Sequence, residues 1–332
     1  MEELLESSLL KHYDIISFLL DKDWMTISRV AEETRIPART IRQNIGTINQ
    51  YIAPAKIESS QRFGIRLTYD ASHNPLYIYT AIYRQSTRFL ILEQLFMQHF
   101  SSLAQFSEAL FISESTLTRH IQALNQALPH YGFHIDTRTL DLVGDENKVY
   151  YFYYTYLLER YWFIDAFLPA GDLTLIDAII AEFFEHFPTL TSPRYQAFSF
   201  LNKLRASIFV CLKRNSRGHT FKNATPTNET ENFSPELRRK IARVYKLDCA
   251  SSVFWHLFYL FFNPKNAWSY EDLLAKTHQD AEIRAAHHAL AHFLDSIVAT
   301  EHLSLTNREQ VLLRLYNAIE YILSLIHISE PT

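Results

Sequence analysis

The apolar pattern of the N-terminal region recurs at a displacement of 76 positions, which carries Ile41, Ile45, Ile48 and Ile52 onto Leu117, Ile121, Leu124 and Leu128. Spacings of four, three and four place each set on one face of an α-helix and leave polar side chains on the other. The flanks agree: Ile27 falls on Leu103, Val30 on Phe106, Glu32 on Glu108, Ile36 on Ile112 and Asn49 on Asn125. One supersecondary unit therefore occurs twice.

In the first copy, residues 4–21 read as a leading helix, and Ser28 is expected to cap a short second helix that ends at Thr34. A turn follows at Arg35-Ile36-Pro37. The third helix, about residues 38–52, exposes Arg39, Thr40, Arg42, Gln43 and Asn44 in its first half, where a recognition helix meets base edges. Residues 56–59 and 65–69 then read as two strands joined by a turn, a wing that carries Arg62 and Arg66. The second copy repeats the order, with helices at 87–98 and 102–110, a turn at Phe111-Ile112 and Ser113 as the N-cap of a third helix over 114–128. That helix exposes Ser115, Thr116, Thr118, Arg119 and Gln122, and residues 133–143 supply a wing with Thr137-Arg138 at its tip. The two copies define domains at 1–72 and 73–148.

The formal charge of −4 over 332 residues excludes a uniformly basic nucleic-acid binder, so contact with duplex DNA needs a local patch. One exists. From Arg29 to Arg66 the chain carries seven basic residues against Glu32, Glu33 and Glu58. Cations there supply salt-dependent affinity for phosphate, while Arg, Gln and Asn on the third helix can read bases.

With six Gly and eleven Pro, the remainder is expected to be helical: about 149–167, 172–187, 193–213 and 235–245, with further helices to 326. Between them the polar stretch 215–233 reads as a loop. Cys211 and Cys249 lie in apolar stretches and read as buried reduced thiols of a cytoplasmic protein. The acidic N-terminus has no signal-peptide pattern, and the longest apolar run, 253–262, is too short to span a membrane. The fold expected is mainly α: two tandem winged helix-turn-helix domains followed by an all-helical domain over 149–322.

Twin helix-turn-helix units, the segment Leu140-Asp141-Leu142-Val143-Gly144-Asp145-Glu146 closing the second wing, and the helices beyond it resemble the Mga and AtxA type of virulence regulator from Gram-positive bacteria. The resemblance implies that the helical region is like the regulation domains (PRDs) governed by the sugar phosphotransferase system. In those domains phosphorylated histidines alter dimerisation and activity. It thus implies a homodimer and a phosphocarrier protein of that system as partners. In such domains a regulatory His follows an Arg-containing helix end. Lys213-Arg214-Asn215-Ser216-Arg217-Gly218-His219 is the match, which makes His219 the candidate phosphoacceptor, with His256 and His278 behind it.

Enzymatic patterns are missing from the sequence. His288 and His292 stand at i and i+4, yet no Glu follows His288 as the zinc-protease motif demands, and no phosphate-cradling glycine loop or nucleophile elbow occurs. No cofactor, metal or catalytic residue is expected. Residues 323–332 resemble the translation of an adapter used in DNA library preparation, and relatives of this type are longer, so the natural frame is expected to continue differently. The rival readings are an RNA-binding antiterminator, which would open on a small β-rich domain, and a protein-interaction scaffold that uses winged helices without DNA.

Overall fold

The computed structural model describes residues 1–70, 76–161, 163–186, 198–219, 233–247, 251–258, 267, 269–301 and 305–327. Helices dominate, and the strands form two separate two-stranded antiparallel hairpins among the described residues.

The first repeat consists of α1 (Ser7–Leu19), α2 (Ile27–Thr34), α3 (Ala38–Tyr51) and the hairpin β1 (Lys56–Ser60) with β2 (Gly64–Thr68). The leading helix is shorter than the apolar pattern suggested, because residues Glu2–Leu4 form a separate 3-10 turn and Leu5 is extended. Thr26, not Ser28, caps α2: its hydroxyl accepts from the Arg29 amide at 3.3 Å, while Ser28 lies inside the helix. The second repeat comprises α5 (Thr87–Met97), α6 (Leu103–Ala109), α7 (Glu114–Ala127) and the hairpin β3 (Phe133–Asp136) with β4 (Asp141–Gly144). Its caps are Ser102 and Ser113, which accept from the Gln105 and Thr116 amides. Ser102 occupies the place of Thr26 in the repeat.

The likeness of the two units extends to single hydrogen bonds. Asn49 donates to the Ile57 carbonyl (3.0 Å) and accepts from the Ile57 amide (2.7 Å). Asn125 does the same for Ile135, at 2.9 and 2.8 Å. Each third helix thus grips the first strand of its hairpin through a side chain that mimics a strand partner. The turns also match, since Arg35 (φ 57°) and Phe111 (φ 55°) are both left-handed.

A left-handed backbone costs a residue with a Cβ roughly 1 kcal/mol, and Phe111, 95% exposed, recovers nothing by burial within the chain. Phe111→Gly is expected to raise stability by about 0.5–1 kcal/mol in urea denaturation. A loss would show that the ring makes a contact hidden by its exposure.

Between the repeats lies a helix that the sequence reading missed, α4 (Leu76–Gln85). It packs on α8 (Glu146–Arg160), where the Thr80 hydroxyl donates to the Glu159 carbonyl at 2.8 Å. α8 is buried around much of its circumference and is fastened to α5 by its aromatic side chains. Tyr153 donates to the Leu92 carbonyl (3.0 Å) and Tyr156 to the Phe89 carbonyl (2.7 Å), so these phenols bury ring area without losing a hydrogen bond. Beside them Arg160 pairs with Glu93 at 2.9 Å in the same core. α9 (Ala170–His186), α10 (Phe198–Asn215) and α11 (Pro235–Tyr245) complete this first unit, with α10 packed on both α8 and α9.

A second unit holds α12 (Ser251–Leu257), α13 (Tyr270–Gln279), α14 (Ala281–Thr300) and α15 (Arg308–His327). Leu273, Ile283, Leu290, Leu294, Leu312 and Tyr316 form its core. No described helix is long and apolar enough to cross a membrane. Cys211 is fully buried in α10, which pushes its thiol well above the usual range. Cys249, residues 220–232 of the polar stretch and residues 328–332 of the adapter-like tail lie outside the described residues.

Candidate nucleic-acid interface

On α3, Ile41 and Ile48 point into the core and fix the opposite face outward. Arg39, Arg42 and Gln43 are exposed there, three and four residues apart, so they share one face. Thr40 and Asn44 are half-buried. His12 on the neighbouring α1 is buried, with its Nδ1 2.8 Å from the Tyr51 hydroxyl, and burial holds its imidazole below the usual range.

Not every cation of the basic stretch is available. Arg29 pairs with Glu33 at 2.5 Å, and Arg66 with Glu58 at 2.9 Å across the β1–β2 pair. The Arg66 guanidinium also lies 4.7 Å from the centroid of the Trp24 ring. Among the described residues Arg39 and Arg42 carry no ion pair, and Arg62, at the hairpin tip, meets only the Phe63 ring at 5.1 Å.

On α7, Ser115 and Arg119 are exposed and Thr116 and Thr118 half-buried. Ser113 holds the first turn, with its hydroxyl 2.9 Å from those of both Ser115 and Thr116. Arg138 is exposed at the tip of the β3–β4 hairpin, where Asp136 accepts from its amide at 2.7 Å. The second third helix therefore offers one cation, Arg119, where the first offers two.

Where β4 ends, the Gly-Asp-Glu element resolves into three physical tasks. Gly144 passes close to the chain, since a Cβ there would stand 2.5 Å from the Gly132 carbonyl oxygen. Asp145 caps α8 by accepting from the Asn147 and Lys148 amides. Glu146 is 8% exposed and takes a two-point bond from Arg214 at the end of α10, with Nε at 2.6 Å and Nη2 at 2.7 Å.

His219 lies at the same junction. Its Nε2 is 3.2 Å from Asp141 and its Nδ1 is 3.4 Å from Glu146. Burial alone would raise the Asp141 carboxyl, but the His219 hydrogen bond, the Arg214 charge and the Leu142 amide outweigh it and hold the group at about 2. Arg214 is committed to Glu146, and Arg217 donates to the Leu95 carbonyl at 2.6 Å. Nothing in the sequence signals either carboxylate beside His219, because both lie some 70 residues away along the chain. Of the other histidines, His256 is buried in α12, and His278, His288 and His292 are exposed on α13 and α14. No group of three or more metal-binding side chains occurs among the described residues.

Residues 74–157 match the family described as the Mga helix-turn-helix domain, a span running from the start of α4 into α8. Over 96% of its length the chain is 21% identical to a protein of Streptococcus pneumoniae serotype 4 named as a trans-acting regulator, covering 65% of that protein. Two Bacillus anthracis proteins named capsule synthesis positive regulators, AcpA and AcpB, are 20% and 22% identical over 47% of the chain. The chain spans a third of the length of those two and just under two thirds of the first. Residues 74–157 are thus similar to the Mga helix-turn-helix domain, and the chain as a whole resembles regulators of that type.

Proposed function

We propose that the chain is a DNA-binding transcription regulator, a positive one like the capsule regulators it resembles, whose two tandem winged helix-turn-helix units (1–72 and 73–148) grip duplex DNA. The observation that carries this reading is the outward face of α3, where Arg39, Arg42 and Gln43 stand together on a helix fixed by its buried isoleucines. Arg119 occupies the corresponding helix of the second unit. Arg62 and Arg138, at the hairpin tips, are placed to meet phosphate or a groove edge.

The PRD-like region, 149–322, modulates this activity as part of a homodimer. His219 is the site at which a sugar-system phosphocarrier acts. A phosphoryl group on either ring nitrogen would bring close to two negative charges against Asp141 or Glu146, which now face those atoms. Such repulsion loosens the junction between the second hairpin and α10.

The test is binding to genomic DNA fragments across a salt series, for the parent and for the triple change Arg39→Ala, Arg42→Ala and Arg119→Ala. The parent is expected to bind tightly with a steep salt dependence. The triple variant should lose about a hundredfold in affinity and up to about three units of the slope of log affinity on log salt. The exposed Phe111 favours the rival reading, a scaffold that meets a protein partner through the second unit. Salt-insensitive or absent DNA binding by the folded parent would establish that rival instead.

A further inference from the structure

Arg62, Phe63, Trp24 and Arg66 form one continuous stack at the end of the first hairpin. The Arg62 guanidinium lies 5.1 Å from the Phe63 centroid, Phe63 and Trp24 are 6.0 Å apart, and Arg66 covers Trp24 at 4.7 Å. Phe63 nevertheless remains 50% exposed.

The tip that carries it is rigidly built. The Ser60 hydroxyl accepts from both the Arg62 and Phe63 amides at 3.2 Å, and β2 is tied to the body by paired bonds of 2.8 Å between Met25 and Ile65. Closing such a hairpin needs no aromatic. The β3–β4 turn closes over Thr137, Arg138 and Thr139 with Asp136 accepting from two of their amides. The half-exposed ring with a cation on its face, held at the end of a preorganised hairpin, is therefore not needed to close the turn.

We infer that Phe63 is a wedge that enters the minor groove of duplex DNA beside Arg62 and partly unstacks a base step, giving the first unit a preference for deformable sequence. The inference rests on the reading of that unit as DNA-binding. A hairpin tip with an Arg fits the narrow minor groove, where the guanidinium meets its negative potential. An apolar ring between base pairs is accommodated best at flexible pyrimidine–purine steps. Arg66, held by Glu58, and Trp24 serve as the backing that keeps the ring from folding away.

The experiment uses the full chain and random-sequence duplexes of about 30 base pairs, titrated across salt and then sorted by affinity. Phe63→Gln is expected to weaken binding about tenfold at every salt concentration without changing the salt slope, and its selected pool should lose the parent's enrichment for TA and CA steps. Phe63→Leu, which keeps an apolar wedge, should retain both. Arg62→Ala should instead lower the slope by about one unit. If Phe63→Gln selects the same sequences as tightly as the parent, while Arg62→Ala weakens binding, the wedge is wrong and the DNA reading stands. A parent without salt-dependent binding overturns both.

Discussion

Arg214→Met is expected to lower the stability of the first unit by about 3–5 kcal/mol, the cost of leaving a buried charge without its partner. Arg214 is 1% exposed and Glu146 8%, so neither can turn to water when the other is removed. The guanidinium also serves Asp141 (3.3 Å) and the Leu142 carbonyl (3.5 Å). One substitution thus leaves two carboxylates and a carbonyl short of a donor. Urea denaturation followed by circular dichroism measures the loss, and the double change Arg214→Met with Glu146→Leu should restore much of it, because an apolar pair carries no desolvation penalty. A loss below about 1 kcal/mol in the single variant would mean that His219 and Arg217 take over the charge.

Gly64→Ala should be the most damaging small change in the first hairpin, on the order of 3 kcal/mol. Gly64 sits at φ 96°, and an added Cβ would stand 2.1 Å from the Met25 carbonyl oxygen, a backbone atom that cannot rotate aside. Relief requires breaking the Met25–Ile65 bridge, which seats the hairpin on the body. Gly46 is the matched control. It lies inside α3 with nothing within 4 Å, so Gly46→Ala should stabilise by roughly 0.5–1 kcal/mol through helix propensity. Thermal unfolding of the pair separates the two cases, and a Gly64→Ala protein that melts with the parent would show that β2 shifts freely.

What the sequence made legible was what repeats or is local. The 76-residue displacement aligned Asn49 with Asn125 before any geometry showed what those positions do. Ser113, the β3–β4 tip and the bounds of α11 were readable from caps and turn residues close at hand. α4 escaped because Ile78, Tyr79, Thr80, Ile82 and Tyr83 are weak helix formers, and the helix exists through packing on α8. The cap of α2 was misassigned because Ser28 and Thr26 are chemically similar, and only the register of the first turn chooses between them. The partners of Arg214, Asp141 and Glu146, escaped notice because they are remote in sequence. Arg66 looked available because its partner Glu58 meets it only once the two strands pair.

The asparagine grips at Ile57 and Ile135 also determine how long the hairpins last. A two-stranded hairpin by itself frays within microseconds and is marginal in water. Here the amide at the start of each hairpin is bonded to a side chain of the third helix, so exposing it to solvent requires strand and helix end to part together. Each hairpin therefore inherits the lifetime of the helix that holds it, and its openings are rare events shared with the body of the unit.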